Sequence, residues 1–386
     1  MRPTGTSSRV RISVLGTRGV PANYSGLETA VERIGERLAR KGHEIVVYCR
    51  RHNVTIEEDT YKGMELIKLP SINNKYLDTL SHTFLSALHI FVHRPDLIHL
   101  YGVGNSVFLI PLRLLHRPLV ISVDALDWQR KKWNRFASFC LRSSAGVAVR
   151  FSDGYIVDSQ EVAKYYRDRY DKKPVYIAYG ADMPEPGKGE GSVKDFGLEP
   201  RKYVLFVGRL VPEKGVHHLI KAFSMVDTDL QLAIVGDNPH DTNYVESLKS
   251  ATDPRVRFLG FVYGDGYQRL CSNAYLYVQP SDVEGTSPAL LGAMGFGNCV
   301  LVSDIPENLE TVGDAGFSFE RSNPTSLKEK LEWLLGHPEV VDEYGKKARA
   351  RVTSVYSWDR IAEDMEELYL SVLAGDALEG KDSIGG

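Results

Sequence analysis

Val278-Gln279-Pro280-Ser281-Asp282-Val283-Glu284-Gly285-Thr286-Ser287-Pro288-Ala289-Leu290-Leu291-Gly292-Ala293-Met294 is the stretch whose reading decides the fold. The apolar run from Tyr275 to Val278 reads as a buried strand, and Ser287-Pro288 opens an apolar helix. Proline suits a first helical turn, because the N–H it lacks would be unpaired there in any case. The loop between them therefore aims free backbone N–H groups and the positive end of a helix dipole at the edge of a sheet, a setting that attracts phosphate. Glu284 sits in that loop as an acceptor for ligand hydroxyls. The same residues also fit an ordinary strand–loop–helix unit with a solvated glutamate.

Outward from this unit the whole chain alternates in the same way. Val10 to Leu15 reads as a strand ending in the glycine-rich turn Gly16-Thr17-Arg18-Gly19-Val20-Pro21. Glu28 to Lys41 reads as a helix with Ala30, Val31, Ile34 and Leu38 on one face, capped by Gly42, and Glu44 to Tyr48 as the next strand. This order marks a parallel sheet with crossover helices. Further strands are expected at 65–69, 97–100, 119–123, 154–157 and 175–178, and helices around 77–92, 106–115, 133–151 and 160–170. A stretch rich in Pro, Gly and charge begins at Ala181 and reads as a linker. A second series follows, with strands at 203–207, 231–235, 257–259, 275–278, 300–302 and 316–319 and amphipathic helices near the end. At 386 residues the chain exceeds one ordinary core, so two domains are expected.

Composition narrows the function classes. The net charge of −3 gives no general attraction to nucleic acid or to an anionic membrane, although a local patch can still supply one. Cys49, Cys140, Cys271 and Cys299 are far apart, which argues against a disulfide framework and fits a reducing cytoplasm. Met1 to Ser8 is polar and lacks a signal-peptide core, and no run of about 18 apolar residues exists to span a membrane.

Ligands of open α/β sheets bind beyond the carboxyl ends of the strands, so the loops there carry the chemistry. In Gly208-Arg209-Leu210-Val211-Pro212-Glu213-Lys214-Gly215, Arg209 offers a planar fork and Lys214 a point charge, which together suit a diphosphate. Standing alone, the loop would read as two surface cations. Gly236 before Asp237 lets the backbone approach a ligand closely. Phe261 and Val262 offer backbone groups or an aromatic wall to a base. Gly16 and Gly19 do not form G-x-G-x-x-G, and Cys49-Arg50-Arg51 stands where a nicotinamide fold places an acid, so that cofactor is a weak reading.

Asp124 and Asp127 follow the 119–123 strand and suit a base or a binder of sugar hydroxyls, although Asp127 also reads as a helix N-cap. Trp128, Arg130, Lys131, Lys132, Trp133 and Arg135 suit a lipid headgroup or a carrier phosphate, hence peripheral contact with a membrane, and as readily a solvated face. Asp227-Thr228-Asp229 reads as turn chemistry, and the scattered histidines argue no metal site.

With Gly208-Arg209-Leu210-x-Pro212-Glu213-Lys214-Gly215, Val235-Gly236-Asp237, Pro280-Ser281-x-x-Glu284-Gly285 and a closing helix at Ser357-Trp358, the chain resembles the GT-B glycosyltransferases of family 4 over nearly its full length. Gly16-Thr17-Arg18-Gly19-Val20-Pro21-Ala22-x-Tyr24-x-Gly26-x-Glu28 and Asp127-Trp128-x-Arg130-x-Lys132-Trp133 look like a narrower branch that includes rhamnosyltransferases of capsule and cell-surface polysaccharide assembly. The resemblance implies an α/β GT-B fold of two Rossmann-like, doubly wound parallel-sheet domains facing a cleft. The acceptor domain would cover 9–180, a linker 181–200, the nucleotide-sugar domain 201–356, a helix crossing back to the first domain 357–373, and a disordered tail 374–386.

It also implies a retaining, metal-independent transfer of a hexose or deoxyhexose, rhamnose among the choices, from a nucleotide diphosphate sugar to a glycan or polyprenyl-linked acceptor, with no other cofactor. The enzyme would be cytoplasmic, at the inner face of the membrane where it makes peripheral contact. Arg209 and Lys214 would bind the diphosphate, Glu284 would contact the transferred sugar, and the backbone of Gly285-Thr286-Ser287 would approach sugar and phosphate. Asp124 stands where many relatives carry a cleft histidine and joins Glu284, Arg209 and Lys214 in the expected catalytic set. Gly16, Gly19, Gly208, Gly236, Asp237, Phe261, Val262 and Gly292 complete the expected donor site. Arg18, Tyr24, Glu28, Asp127, Trp128, Arg130 and Trp133 form the expected acceptor site.

One position departs from the pattern. Relatives carry a second Glu eight residues after the first, on the nucleotide ribose, and here that position is Gly292. If Gly292 merely lacks this contact, Gly292→Glu would tighten nucleotide binding. The departure also keeps open an alternative, a non-catalytic scaffold or partner subunit with a degenerate donor site.

Overall fold

The computed structural model describes residues 9–22, 26–74, 77–123, 135–181, 183, 191–238, 242–250 and 253–376. It divides into two compact units, one formed by the chain up to Tyr179 together with the chain from Trp358 onward, the other by Gly180–Ser357. The strands of the first unit are β1 (Arg11–Leu15), β2 (Glu44–Arg50), β3 (Thr60–Tyr61), β4 (Met64–Leu69), β5 (Leu97–Tyr101), β6 (Leu119–Val123), β7 (Gly154–Val157) and β8 (Val175–Tyr176). Those of the second are β9 (Tyr203–Val207), β10 (Gln231–Val235), β11 (Val256–Gly260), β12 (Leu276–Gln279), β13 (Val300–Ser303) and β14 (Phe317–Phe319). In the first unit the helices are α1 (Gly26–Arg40), α2 (Asp78–His93), α3 (Leu109–Leu112), α4 (Arg135–Phe151) and α5 (Gln160–Tyr170), joined by the closing helix α13 (Trp358–Ala374). The second unit carries α6 (Val216–Ser224), α7 (Thr242–Ser250), α8 (Gly264–Asn273), α9 (Pro288–Gly295), α10 (Pro306–Val312), α11 (Pro324–Leu335) and α12 (Pro338–Val355).

The central strands are near-continuous apolar runs because helices cover both faces of a parallel sheet. Leu119–Val123 and Leu276–Gln279 are buried at every position. The first sheet runs β3-β4-β2-β1-β5-β6-β7-β8 and is parallel except at β3–β4. The second runs β11-β10-β9-β12-β13-β14 and is parallel throughout. Both orders reverse direction once, between β1 and β5 and between β9 and β12. At such a reversal the loops leaving the two strands diverge and open a crevice at the sheet's carboxyl edge.

Three local expectations change. The helix expected over 106–115 is instead a 3-10 segment at Val103–Phe108, the single turn of α3 and a second 3-10 turn at Arg113–Leu115. Pro111 falls inside it and supplies no N–H to a continuous helical ladder. The hairpin strand β3 has no signature of its own beyond Tyr61-Lys62-Gly63, where Lys62 and Gly63 turn through positive φ. Val193 and Leu198, in the stretch read as a linker, are fully buried in the second unit.

The returning helix α13 is part of the first unit and is fixed there by polar as well as apolar contacts. Arg37 Nε bonds Asp359 Oδ1 at 2.6 Å, and His43 Nε2 lies 2.8 Å from Glu366 Oε1. Deeper, His99 on β5 has Nδ1 at 2.6 Å from the Tyr369 hydroxyl and Nε2 at 2.8 Å from Ser122 Oγ. One buried imidazole thus ties α13 to two neighbouring strands.

Burial pushes His99 down to about 3, so it stays neutral in the folded protein at any ordinary pH. An unfolded chain takes up that proton near pH 6.5. The stabilising neutrality is therefore complete above pH 6.5 and is lost progressively as pH falls toward 3, at ~1.4 kcal/mol per pH unit for one proton. His99→Gln, which keeps a polar side chain but does not titrate, should lower stability at pH 7.5 yet flatten its decline between pH 6.5 and about 4 by one proton's slope. Denaturant melts across that range measure it, and a slope equal to wild type would refute the assignment.

Candidate functional site

The crevice between β9 and β12 gathers the site of the second unit. β9 feeds the loop Gly208–Gly215 into α6, and β12 feeds Pro280–Ser287 into α9. Gly215 adopts φ +66°, and a Cβ there would lie 1.9 Å from the Pro280 carbonyl oxygen. Only glycine lets the two loops touch at this point. The contact is completed by the Asp282 N–H, which donates to the Glu213 carbonyl at 2.8 Å.

Glu284 occupies the bottom of the crevice with its side chain only 8 % exposed. A carboxylate so placed needs a counter-charge and hydrogen-bond donors. Lys214, from the β9 loop, forms the ion pair. Gln279 Nε2 donates to the same oxygen, Oε1, at 2.6 Å, and Ser281 Oγ does so at 2.8 Å. Behind them the Tyr277 hydroxyl donates to Gln279 Oε1 at 2.6 Å, which fixes the amide so that its NH₂ faces Glu284. Burial pushes the Tyr277 phenol well above its ordinary value, so it remains a donor. All the donors converge on Oε1, and among the described residues none meets Oε2. One oxygen is anchored and the other is left to accept from a ligand.

Arg209 is exposed at the lip of the crevice, and among the described residues its guanidinium meets no acidic partner. Gly208 and Gly236 bring the neighbouring loops together: the Gly208 N–H donates to the Val235 carbonyl at 3.0 Å, and a Cβ on Gly236 would lie 1.9 Å from the Gly208 oxygen. The Gly236 N–H bonds the Gly260 carbonyl at 2.7 Å, placing the β10 and β11 loops side by side. Asp237 Oδ1 accepts from the Asn238 N–H at 2.7 Å. Phe261 is half exposed and stacks on Tyr263 beyond β11, and Val262 follows it. Ser287 caps α9 by accepting from the Leu290 N–H, and Thr286 and Ser287 are both buried. Arg209, Lys214, Glu284 and the glycine-rich loops thus meet on one sheet edge.

Gly16 and Gly19 belong to the corresponding crevice of the first unit, after β1. A Cβ on Gly16 would lie 2.3 Å from the Tyr101 carbonyl oxygen, and one on Gly19 would collide with Cys49. Glu28, at the start of α1, is 3 % exposed and accepts from the Arg18 N–H at 3.2 Å. Its carboxylate holds the glycine turn in place, a packing role that the sequence alone did not reveal. Tyr24, Asp124, Asp127, Trp128, Arg130 and Trp133 lie outside the described residues.

Gly292 faces a neighbour that sequence reasoning missed. A Cβ at Gly292 would lie 2.5 Å from the Tyr267 hydroxyl oxygen of α8. Tyr267 is set edge-on to Phe296, with ring centroids 6.1 Å apart, and hydrogen-bonds the buried Cys271 thiol. The space next to Gly292 holds the hydroxyl end of a phenol from another helix, so a glutamate at this position would first have to displace Tyr267. No periodicity links positions 267 and 292, so nothing in the sequence announces the pair.

Residues 24–182 match the family model Glycosyltransferase Family 4, and residues 192–351 match Glycosyl transferases group 1. The alpha-maltose-1-phosphate synthase of Mycolicibacterium smegmatis is 29 % identical over 95 % of this chain and 100 % of its own length. The D-rhamnosyltransferase WbpZ of Pseudomonas aeruginosa is 28 % identical over 68 % of this chain and 67 % of its own. Among solved structures, the sucrose-phosphate synthase of Thermosynechococcus elongatus superposes with a TM-score of 0.81 at 20 % identity, over 95 % of this chain and 100 % of that one. HepE of Anabaena in complex with UDP-glucose gives 0.79 at 20 % identity, over 94 % and 100 %.

Filling the position beside Tyr267 tests the geometry directly. Alanine gains about 1 kcal/mol of helix propensity over glycine, but forcing a methyl group against a packed phenol costs about 1–3 kcal/mol. Gly292→Ala should therefore lower Tm, by about 2–4 °C for each net kcal/mol in a unit of this size. Gly292→Ala in a Tyr267→Ala background should instead raise Tm relative to Tyr267→Ala alone. Additive effects in calorimetric melts would show that the two side chains do not meet.

Proposed function

The chain belongs to the GT-B glycosyltransferases of family 4, and on that premise we propose that it transfers a hexose or deoxyhexose from a nucleotide diphosphate sugar to a glycan or lipid-linked acceptor. The observation that carries this reading is the polar chain Tyr277–Gln279–Glu284–Lys214 beside an exposed Arg209, at the point where the second sheet reverses. It supplies an open carboxylate oxygen for sugar hydroxyls and two cations for a diphosphate within one crevice.

The chemistry follows from the charges. Breaking the bond from the anomeric carbon to the diphosphate leaves negative charge on the departing phosphate. Arg209 at the lip, Lys214 and the N-terminal turn of α9 are preorganised to receive it, and charge that develops in the transition state is stabilised most by groups already in place. These cations take the part a divalent ion plays elsewhere, so the transfer proceeds without metal. The Glu284 Oε2 atom orients the sugar, and retention of the anomeric configuration fits an acceptor that approaches from the side the diphosphate leaves. Tyr267, beside Gly292, offers a neutral hydroxyl to the nucleotide where relatives offer a carboxylate. The likeness to WbpZ favours a deoxyhexose such as rhamnose. A polyprenyl-linked acceptor would bring the reaction to the inner face of a membrane.

The first test is calorimetry with UDP-, GDP- and dTDP-linked sugars, of which one class should bind and then be consumed when acceptor is added. Failure of all of them at millimolar concentration would refute the proposal. Within the site, Arg209→Ala should weaken donor binding about tenfold or more, the loss of at least one charged hydrogen bond, while Tm stays near wild type because the side chain is exposed. Lys214→Ala should weaken binding and also destabilise the fold, by about 3–5 kcal/mol, since it strands a buried carboxylate. Equal stability losses in the two variants would contradict the separate roles given to the two cations.

A further inference from the structure

The amino-terminal edge of the first sheet carries a pair of side chains that the proposed transfer does not use. His89 and His93 stand four residues apart on α2, so they lie one above the other on the same face of the helix. Their rings are parallel, with 3° between the planes and centroids 3.8 Å apart. His93 is exposed and His89 is half-buried. Both belong to the closing turns of α2, which ends at His93. There the unpaired carbonyls and the negative end of the helix dipole favour a cation. The crevice with Gly16 and Gly19 lies at the opposite, carboxyl edge of the same sheet.

The hydrogen bonds of the two rings decide which nitrogens are left over. His93 Nδ1 lies 3.2 Å from the His89 carbonyl oxygen. A carbonyl only accepts, so this Nδ1 carries the proton and Nε2 keeps its lone pair. His89 Nδ1 lies 3.0 Å from the Tyr48 hydroxyl of β2, which also hydrogen-bonds Ser13. With the Tyr48 proton directed to Ser13, His89 takes the same tautomer as His93. Among the described residues neither Nε2 has a hydrogen-bond partner. A ring whose N–H is held by an outer partner, with a free lone pair on its far nitrogen, is in the state in which histidine ligates a metal. Burial and the neighbouring His93 hold His89 below its ordinary value, which favours the neutral imidazole that ligation requires.

We propose that His89 and His93 chelate one divalent transition-metal ion, of the nickel, copper and zinc group, through their Nε2 atoms. Imidazole nitrogens hold such ions at about 2.0–2.1 Å. Rings 3.8 Å apart therefore already fall within the span of a single ion, and a small turn of the exposed His93 ring closes the angle. Glu65 faces the pair from β4 and Arg11 from β1, and these two are ion-paired with each other at 3.1 Å. Among the described residues no third histidine, cysteine or carboxylate joins the pair, so it supplies two ligands and water the others. Imidazole ligands select transition metals over magnesium and calcium, which take oxygen. The ion clamps the last turn of α2. The site stands on the first unit alone and does not depend on the transfer proposed above.

Calorimetric titration of the full chain with Ni²⁺, and separately with Mg²⁺, tests it at about pH 7.5, above the imidazole range. Ni²⁺ should bind at one site and raise Tm, and Mg²⁺ should do neither. His93→Gln should weaken Ni²⁺ binding at least about tenfold, since one arm of the chelate is lost. Its metal-free Tm should stay near wild type, because the ring is exposed. His89→Gln with His93→Gln should abolish binding. Affinity for the wild type should also fall as pH is lowered through the imidazole range, because both ligands must be unprotonated. Absence of Ni²⁺ binding at millimolar concentration overturns the proposal. So does wild-type affinity in the double variant, which would put the ion elsewhere, and so does equal binding of Mg²⁺, which would mean oxygen ligands.

Discussion

The buried carboxylate of Glu284 is the constraint on which the second unit's architecture turns. An ion held almost wholly away from water is tolerable only with a counter-ion and several donors in reach. Lys214 is 70 residues distant in sequence and arrives on the loop of a different strand. The pair can form only if β9 and β12 are neighbours, and their adjacency is the point at which the sheet order reverses. Electrostatic demand and topology therefore specify each other. Gly215 is the hinge of that agreement: any side chain there would meet the Pro280 carbonyl and force the loops, and with them the ion pair, apart.

The parts of this arrangement legible in the sequence were those encoded locally. Apolar runs bounded by Gly and Pro mark strands because both faces of a parallel sheet are covered, and the strands of both units fall close to where those runs lie. Arg209, Lys214 and Glu284 could be assigned to one sheet edge because each directly follows a strand, and topology then does the rest. What stayed hidden was encoded by contact. Glu28 stands in the sequence only as part of the expected acceptor site, and it is the fold that buries it and sets it against the Arg18 N–H. In α2, His82, Thr83 and Ser86 are buried with Ala87 and Ile90 while Phe84 and Leu88 are half exposed, and period alone cannot say which side meets the core. His99 is one of eleven histidines, and only the fold brings Tyr369 to it across 270 residues.

Gly292 shows the same division at the site itself. As a letter it reads as a missing carboxylate. In the structure it is the clearance that lets Tyr267 approach α9, so the absence of one side chain and the presence of another are a single feature. The exchange alters the electrostatics as well as the shape. A phenol, unlike a carboxylate, brings no negative charge to the start of α9, and it can donate as well as accept.

That difference bears on how the proposed donor is held. Before any ligand binds, Arg209 and Lys214 contribute two positive charges against the one of Glu284 between the two loops, and Asp237 on the neighbouring loop removes what surplus remains. A diphosphate brings negative charge that these side chains do not offset, and a further carboxylate would widen the deficit. Lys214 is already committed to Glu284 Oε1, so the entering diphosphate must share it, and Arg209 is the cation free to lead. The balance then falls to the backbone N–H groups at the start of α9, whose dipole adds about half a unit charge. A neutral Tyr267 in place of an acid keeps the sum closest to zero while the sugar–phosphate bond is intact, and reserves the positive potential for the moment the phosphate departs.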